Sequence, residues 1–94
     1  MRNYSLDSTA HFEREMKRLK KDRRTYNLVI RRLAIITNNP FDISLRTHQV
    51  NVPSLGKVWS SRVNGDIRVI WEFDENDELV IIALRVDGHD GVYS

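Results

Sequence analysis

Two histidines and three arginines in the second half of the chain are residue types that handle phosphate esters. His48 lies in THQV, Arg62 in VWSSRV, Arg68 in GDIRVIW, and Arg85 and His89 in the ending LRVDGHDGVYS. An imidazole, with an ordinary pKa of about 6.5, takes or gives a proton near neutrality. A guanidinium fork matches phosphate oxygens and keeps its charge. Together they supply what metal-free cleavage of RNA needs: one group removes the proton of the ribose 2′-OH, cations stabilise the pentacoordinate phosphate, and another group protonates the departing 5′-oxygen. Taken singly, His48 in a loop and His89 in a glycine-flanked tail are more often bland surface residues, as His11 on a helix is. Tyr93 has two open readings, stacking on a base or pinning the tail.

Those residues matter only if strands bring them together. From residue 58 the apolar pattern has period two, predicting strands over Val58–Val63, Ile67–Phe73 and Leu79–Val86, separated by Asn64-Gly65-Asp66 and by the acidic turn DENDE. Ile67, Val69, Trp71 and Phe73 then share one face, with Trp59 and Val63 beside them. Arg68, Ile70 and Glu72 take the other face, with Ser60 and Arg62 beside them. In the third strand the more apolar set, Val80, Ile82, Leu84 and Val86, is expected inward, leaving Ile81, Ala83 and Arg85 outside. A three-residue turn sets Trp59 opposite Trp71 and Arg62 opposite Arg68, with Arg85 opposite or diagonal to Arg68. Like charges so placed repel. Either Glu72, Asp66 and solvent neutralise them, or the face is an anion site floored by Ile70, Ala83 and Ile81.

The front half predicts helices. A short strand over Asn3–Leu6 precedes Asp7, Ser8 and Thr9, any of which can cap a helix. Phe12, Met16 and Leu19 make an apolar stripe among Glu13, Arg14, Glu15, Lys17 and Arg18, which are expected to face water. After KKDRR, a second stripe of Tyr26, Val29, Ile30, Leu33 and Ile36 runs until Asn38, Asn39 and Pro40. Residues 41–56 read as a loop, with RTHQV a stretch able to pair briefly as a strand. The expected fold is α+β: an N-terminal helical hairpin packed on one face of a small, mostly antiparallel twisted sheet, with residues 1–94 forming one domain.

Composition agrees with an ordinary globular chain, 40% hydrophobic and 30% charged. Without cysteine there is no disulfide or thiolate metal site. No apolar run reaches membrane-spanning length and the start lacks a signal-peptide stretch, so a cytoplasmic protein is the default. Residues 1–47 hold 11 Lys and Arg against 5 Asp and Glu, and residues 48–94 hold 4 against 8. The basic half suits a polyanion or an acidic partner, or is simply the solvated side of two helices.

THQV, GKVWSSRVNGDIRVIW and LRVDGHDGVY, with the FEREMKRLKK helix and the second helix ending at NNP, resemble the RelE/ParE toxin superfamily of bacterial toxin–antitoxin systems, most closely its YafQ-like ribosome-dependent mRNA endonucleases. The resemblance implies catalytic roles for His48, Arg68, Arg85, His89 and Tyr93 and substrate binding by Lys57, Arg62 and Asp66. His48 is the candidate base and His89 the candidate acid, with the assignments exchangeable. Arg62 stands where YafQ carries histidine, Ile67 replaces an aromatic residue, Tyr93 replaces phenylalanine, and Gln49 replaces the catalytic glutamate of the YoeB branch. The resemblance also implies that the basic half grips ribosomal RNA, that an acidic antitoxin binds the chain, and that DNA is met only through that complex. No metal or cofactor is expected. The rivals are a ParE-type gyrase inhibitor, which needs no catalytic pair, and an inactive toxin-fold module that binds an antitoxin or RNA.

Overall fold

Thr9 closes one element and opens the next. Its extended backbone (φ −86°, ψ 161°) follows β1 (Ser5–Ser8), and its hydroxyl accepts a hydrogen bond from Phe12 N at 3.1 Å, capping α1 (Ala10–Leu19). The strand expected over residues 3–6 therefore lies two residues later. After a short break, Asp22 caps α2 (Arg23–Asn38) by accepting from Thr25 N at 3.3 Å. The computed structural model describes residues 3–88.

Both helical stripes are buried as the spacing predicts, with two exceptions. Phe12, Met16 and Leu19 of α1 and Val29, Leu33 and Ile36 of α2 enter one core, but Ile30 is 43% exposed. Glu15, expected in water, is only 3% exposed. Its position four residues after His11 and one before Met16 places it at the edge of the apolar stripe, where the sheet covers it.

The weak stretch after Pro40 is more ordered than its pattern suggests. A single 3-10 turn spans Ile43–Leu45, capped by Asp42, which accepts from Ser44 N at 2.9 Å and Ser44 Oγ at 2.6 Å. These Ser44 bonds hold the Asp42 carboxyl below the usual carboxylate range. Leu45 of the turn is buried, and of RTHQV the last three residues pair, in β2 (His48–Val52), while Arg46 and Thr47 precede the strand. The turn into β3 (Gly56–Arg62) needs a left-handed residue, and Gly56 supplies it at φ 79°.

With β4 (Ile67–Phe73) and β5 (Val80–Gly88) these strands form a five-stranded sheet in the order β1-β5-β4-β3-β2, antiparallel except for the parallel β1–β5 pair. The odd turn sets Trp59 opposite Trp71 and Arg62 opposite Arg68, as expected. One inward set is wrong. The register between β4 and β5 shifts at Ile70/Trp71, so that Ile70 faces Arg85 while Trp71 faces Ala83. Leu84 is the extra residue of a bulge. Consequently Ile81, Ala83 and Val86 face the helices, while Leu84 packs on the open face with Val58 and Ile70, and Ile82 beside them. Strict alternation cannot register an inserted residue, and both faces here are apolar enough that composition did not reveal it.

Candidate functional site

The open face of the sheet carries a row of polar residues beyond its apolar patch. Pairing sets His48 beside Ser60 and Arg62 beside Arg68, so the imidazole and the first guanidinium are diagonal neighbours on β2 and β3, about 7 Å apart at their backbones. Turn residues close the end of this row. Asn64 Oδ1 accepts from the N–H groups of Asp66 and Ile67, both at 2.8 Å, and the Asn64 carbonyl accepts from Arg62 Nε at 3.2 Å. The result is a cleft of about 450 Å³ lined by Arg46, His48, Ser60, Arg62, Asn64, Gly65, Ile67 and Arg68.

Arg46, absent from the sequence-level candidates, contributes twice. It lines the cleft, and its backbone is left-handed at φ 48°, ψ 41°, where it ends the 3-10 turn. That conformation is uncommon outside glycine, asparagine and aspartate, so nothing in an arginine announces it. It brings the Arg46 carbonyl to 2.9 Å from His48 Nδ1. A carbonyl oxygen only accepts, so Nδ1 carries the proton in that contact, and Nε2 of the neutral ring keeps its lone pair. His48 is thereby held in the tautomer that a general base needs.

The cations of the cleft are not neutralised locally. Arg46, Arg62 and Arg68 are exposed, and among the described residues no carboxylate lies within ion-pair distance of any of them. Asp87 stands opposite Arg68 in register but closes no ion pair with it. Three exposed arginines lining one cleft, with no counter-charge paired to them among the described residues, make an electrostatic trap for an anion with several oxygens.

The remaining sequence candidates are placed elsewhere. Arg85 lies diagonal to Arg68, as expected, but the bulge and its half-buried position turn it toward the β2–β3 turn, where Arg85 Nη2 donates to Ser54 Oγ at 3.0 Å. It does not line the cleft. Lys57 pairs with Asn51 and belongs to the opposite face from Val58 and Ser60. Asp66 is exposed in the turn and meets the site only through its N–H. The apolar floor is Ile70 with Leu84 and Ile82, in place of Ala83 and Ile81. His89 and Tyr93 lie outside the described residues. Among those described, no group of three or more His, Asp or Glu residues is placed to hold a metal ion.

Solved structures share this architecture. A YoeB/ParE toxin from Agrobacterium tumefaciens matches with a TM-score of 0.74 at 13% identity, over 90% of this chain and 98% of its own. YafQ from E. coli matches with 0.73 at 14% identity, over 98% and 100%. The toxin–antitoxin complex RelBE2 from Mycobacterium tuberculosis matches with 0.65 at 22% identity, over 92% and 98%. No protein-family model matches the chain, and no curated protein matches it in sequence. Element order, the mixed sheet and nearly complete mutual coverage at such low identity lead to one statement: the chain has the fold of the RelE/ParE toxins, and resembles YafQ over almost its whole length.

Proposed function

We propose that the chain is the toxin of a type II toxin–antitoxin pair and acts as a ribosome-dependent mRNA endonuclease without a metal. The observation that carries this reading is the cleft itself, which three arginines with no ion-paired carboxylate among the described residues line together with an imidazole whose Nε2 is left to accept a proton. A surface that only bound protein would gain nothing from fixing that tautomer. In the reaction, Nε2 of His48 takes the proton of a ribose 2′-OH and the 2′-oxygen attacks phosphorus. Arg46, Arg62 and Arg68 hold the non-bridging oxygens as their charge grows, and the bond to the 5′-oxygen breaks, leaving a 2′,3′-cyclic phosphate. The family resemblance assigns protonation of the 5′-oxygen to His89 and stacking on a base to Tyr93. Arg85 reaches the phosphate only after leaving Ser54.

A second, larger cleft of about 580 Å³ along α1, lined by Arg14, Lys17, Lys20 and Tyr26 together with Glu13, carries three cations against one carboxylate and suits a nucleic-acid backbone. It supports a grip on ribosomal RNA. The DinJ–YafQ toxin–antitoxin complex from E. coli, matched with a TM-score of 0.73 at 13% identity, supports a protein antitoxin as partner. Induced expression of wild type and Arg68→Ala, with the 5′ ends of cellular transcripts mapped, tests the reading. Cuts within translated codons for wild type alone support it, whereas arrested replication with intact mRNA points to a gyrase inhibitor and overturns it.

A further inference from the structure

Directly behind the cleft, on the helix side of the sheet, four polar groups form a closed chain. Trp71 Nε1 donates to Ser61 Oγ at 2.8 Å, Ser61 Oγ and Thr47 Oγ1 are 2.7 Å apart, and Thr47 Oγ1 donates to the Pro40 carbonyl at 2.7 Å. Thr47 has one hydroxyl proton and the carbonyl takes it, so Ser61 must be the donor to Thr47. Every proton then runs one way, from the indole to Pro40, and no member is left unpaired. Ser61 and Trp71 are both 0% exposed and Thr47 is half-buried, so the Trp71–Ser61 end of the chain is shielded from competition by water.

Its members sit between the residues of the cleft. Thr47 separates Arg46 from His48, and Ser61 separates Ser60 from Arg62, four residues that all line the cleft. Because neighbouring residues on a strand point to opposite faces, pinning Ser61 inward fixes Ser60 and Arg62 outward, and Thr47, in the link between the 3-10 turn and β2, is tied to β3 through that same hydroxyl. Phe41 reinforces the far end, its ring packing edge-on against Trp59 at 5.0 Å. Without the Thr47–Ser61 bond, the link between the 3-10 turn and β2 is held to β3 only by the His48–Ser60 pairing and by buried Leu45, with no side-chain hydrogen bond to β3 among the described residues fixing its angle.

We infer that Thr47 and Ser61 are positioning residues for the anion site: their hydroxyls lock the Arg46–His48 segment to β3 so that the His48 imidazole and the Arg62–Arg68 pair address the same phosphate. The inference rests on the proposed nuclease reading for its catalytic consequence, but not for its geometric one. A fold-level role alone would lower stability without altering how His48 responds to an anion. The lock instead couples the imidazole to the guanidiniums.

The test compares wild type with Thr47→Val, which keeps the shape and loses the hydroxyl, and Thr47→Ser, which keeps the hydroxyl. The His48 ring is titrated by NMR with and without inorganic phosphate, and mRNA cleavage is measured in a translation extract. Thr47→Val is expected to weaken the phosphate response of His48 at least tenfold and to lower kcat by a similar factor, with Thr47→Ser near wild type. Ser61→Ala, which removes the middle link without adding an atom, should repeat both losses while the chain remains folded. If Thr47→Val and Ser61→Ala respond to phosphate like wild type, the inference is overturned, whatever happens to cleavage. If wild type binds phosphate through His48 and the hydroxyl variants lose that response, yet no protein cuts mRNA, the lock stands and the nuclease reading falls.

Discussion

Arg62 and Arg68 face each other across β3 and β4, a placement that costs stability unless something negative arrives. Arg68→Ala is therefore expected to leave urea-unfolding stability within about 0.5 kcal/mol of wild type, or to raise it, while cleavage falls at least about a hundredfold. His48→Ala should lower cleavage by about 10²–10⁴, the usual worth of a general base, again with little change in the unfolding midpoint. An equal loss of activity and stability in either variant counts against the site. The arginine pair was legible in the sequence, because an odd turn and an alternating pattern leave one register. Arg46 was not, since its part depends on a left-handed backbone and a carbonyl that no side-chain pattern encodes. The weak pattern over residues 41–56 reads as a loop with at most a brief pairing in RTHQV, so the register that sets His48 beside Ser60 came from the structure, and nothing in RTHQV told that the residue two before His48 would turn back toward it.

The bulge in β5 and the helix α1 depend on each other. An inserted residue strands backbone groups that the ladder no longer reaches, and α1 supplies partners for two of them. Thr9 Oγ1 donates to the Leu84 carbonyl at 3.0 Å while capping the helix, and Glu15 Oε1 accepts from Val86 N at 3.3 Å. Thr9→Ala removes both a cap and the partner of that carbonyl, and should cost about 1–3 kcal/mol in chemical unfolding. Glu15 is less comfortable. Burial pushes its carboxyl above the usual carboxylate pKa, against the lowering effects of the Val86 N–H and of His11, whose Nε2 lies 3.0 Å away, and Oε2 has no partner. An acid whose folded pKa exceeds its unfolded value favours folding when protonated. That contribution is complete below the unfolded pKa of about 4.3 and is lost as pH rises through the folded one. Melting of wild type against Glu15→Gln between pH 4 and 7 should show the advantage of wild type shrinking as pH rises, and a flat difference would contradict it. The helix stripe predicted α1 correctly, but a carboxylate at its edge reads as solvent-facing until the strand it serves is known.

At the scale of the whole molecule, charge is sorted along β4. Arg68 begins the strand beside the cleft, and Asp74, Glu75, Asp77 and Glu78 follow its far end, about 20 Å away at strand rise. A polyanion is thus drawn to the arginine end and the helices and turned from the acidic turn. Binding of single-stranded RNA should weaken steeply with salt, and a combined Arg14, Lys17 and Lys20 to alanine variant should flatten the log–log slope by about 2. An unchanged slope would remove α1 from the interface. The α+β architecture was legible because periods of 3.6 and 2 separate cleanly along the chain, whereas the parallel β1–β5 pair was not, since four exposed residues of mixed type name no neighbour. That pairing bears on how the chain comes into being. Thr9 and Leu84, which bond to each other, are separated by 75 positions in sequence. β1 and α1 leave the ribosome before β5, which must then insert between β1 and β4. Assembly of the sheet is therefore a long-range event, expected to be slow compared with helical chains of this size, and a growing copy cannot close its sheet until β5 has been translated.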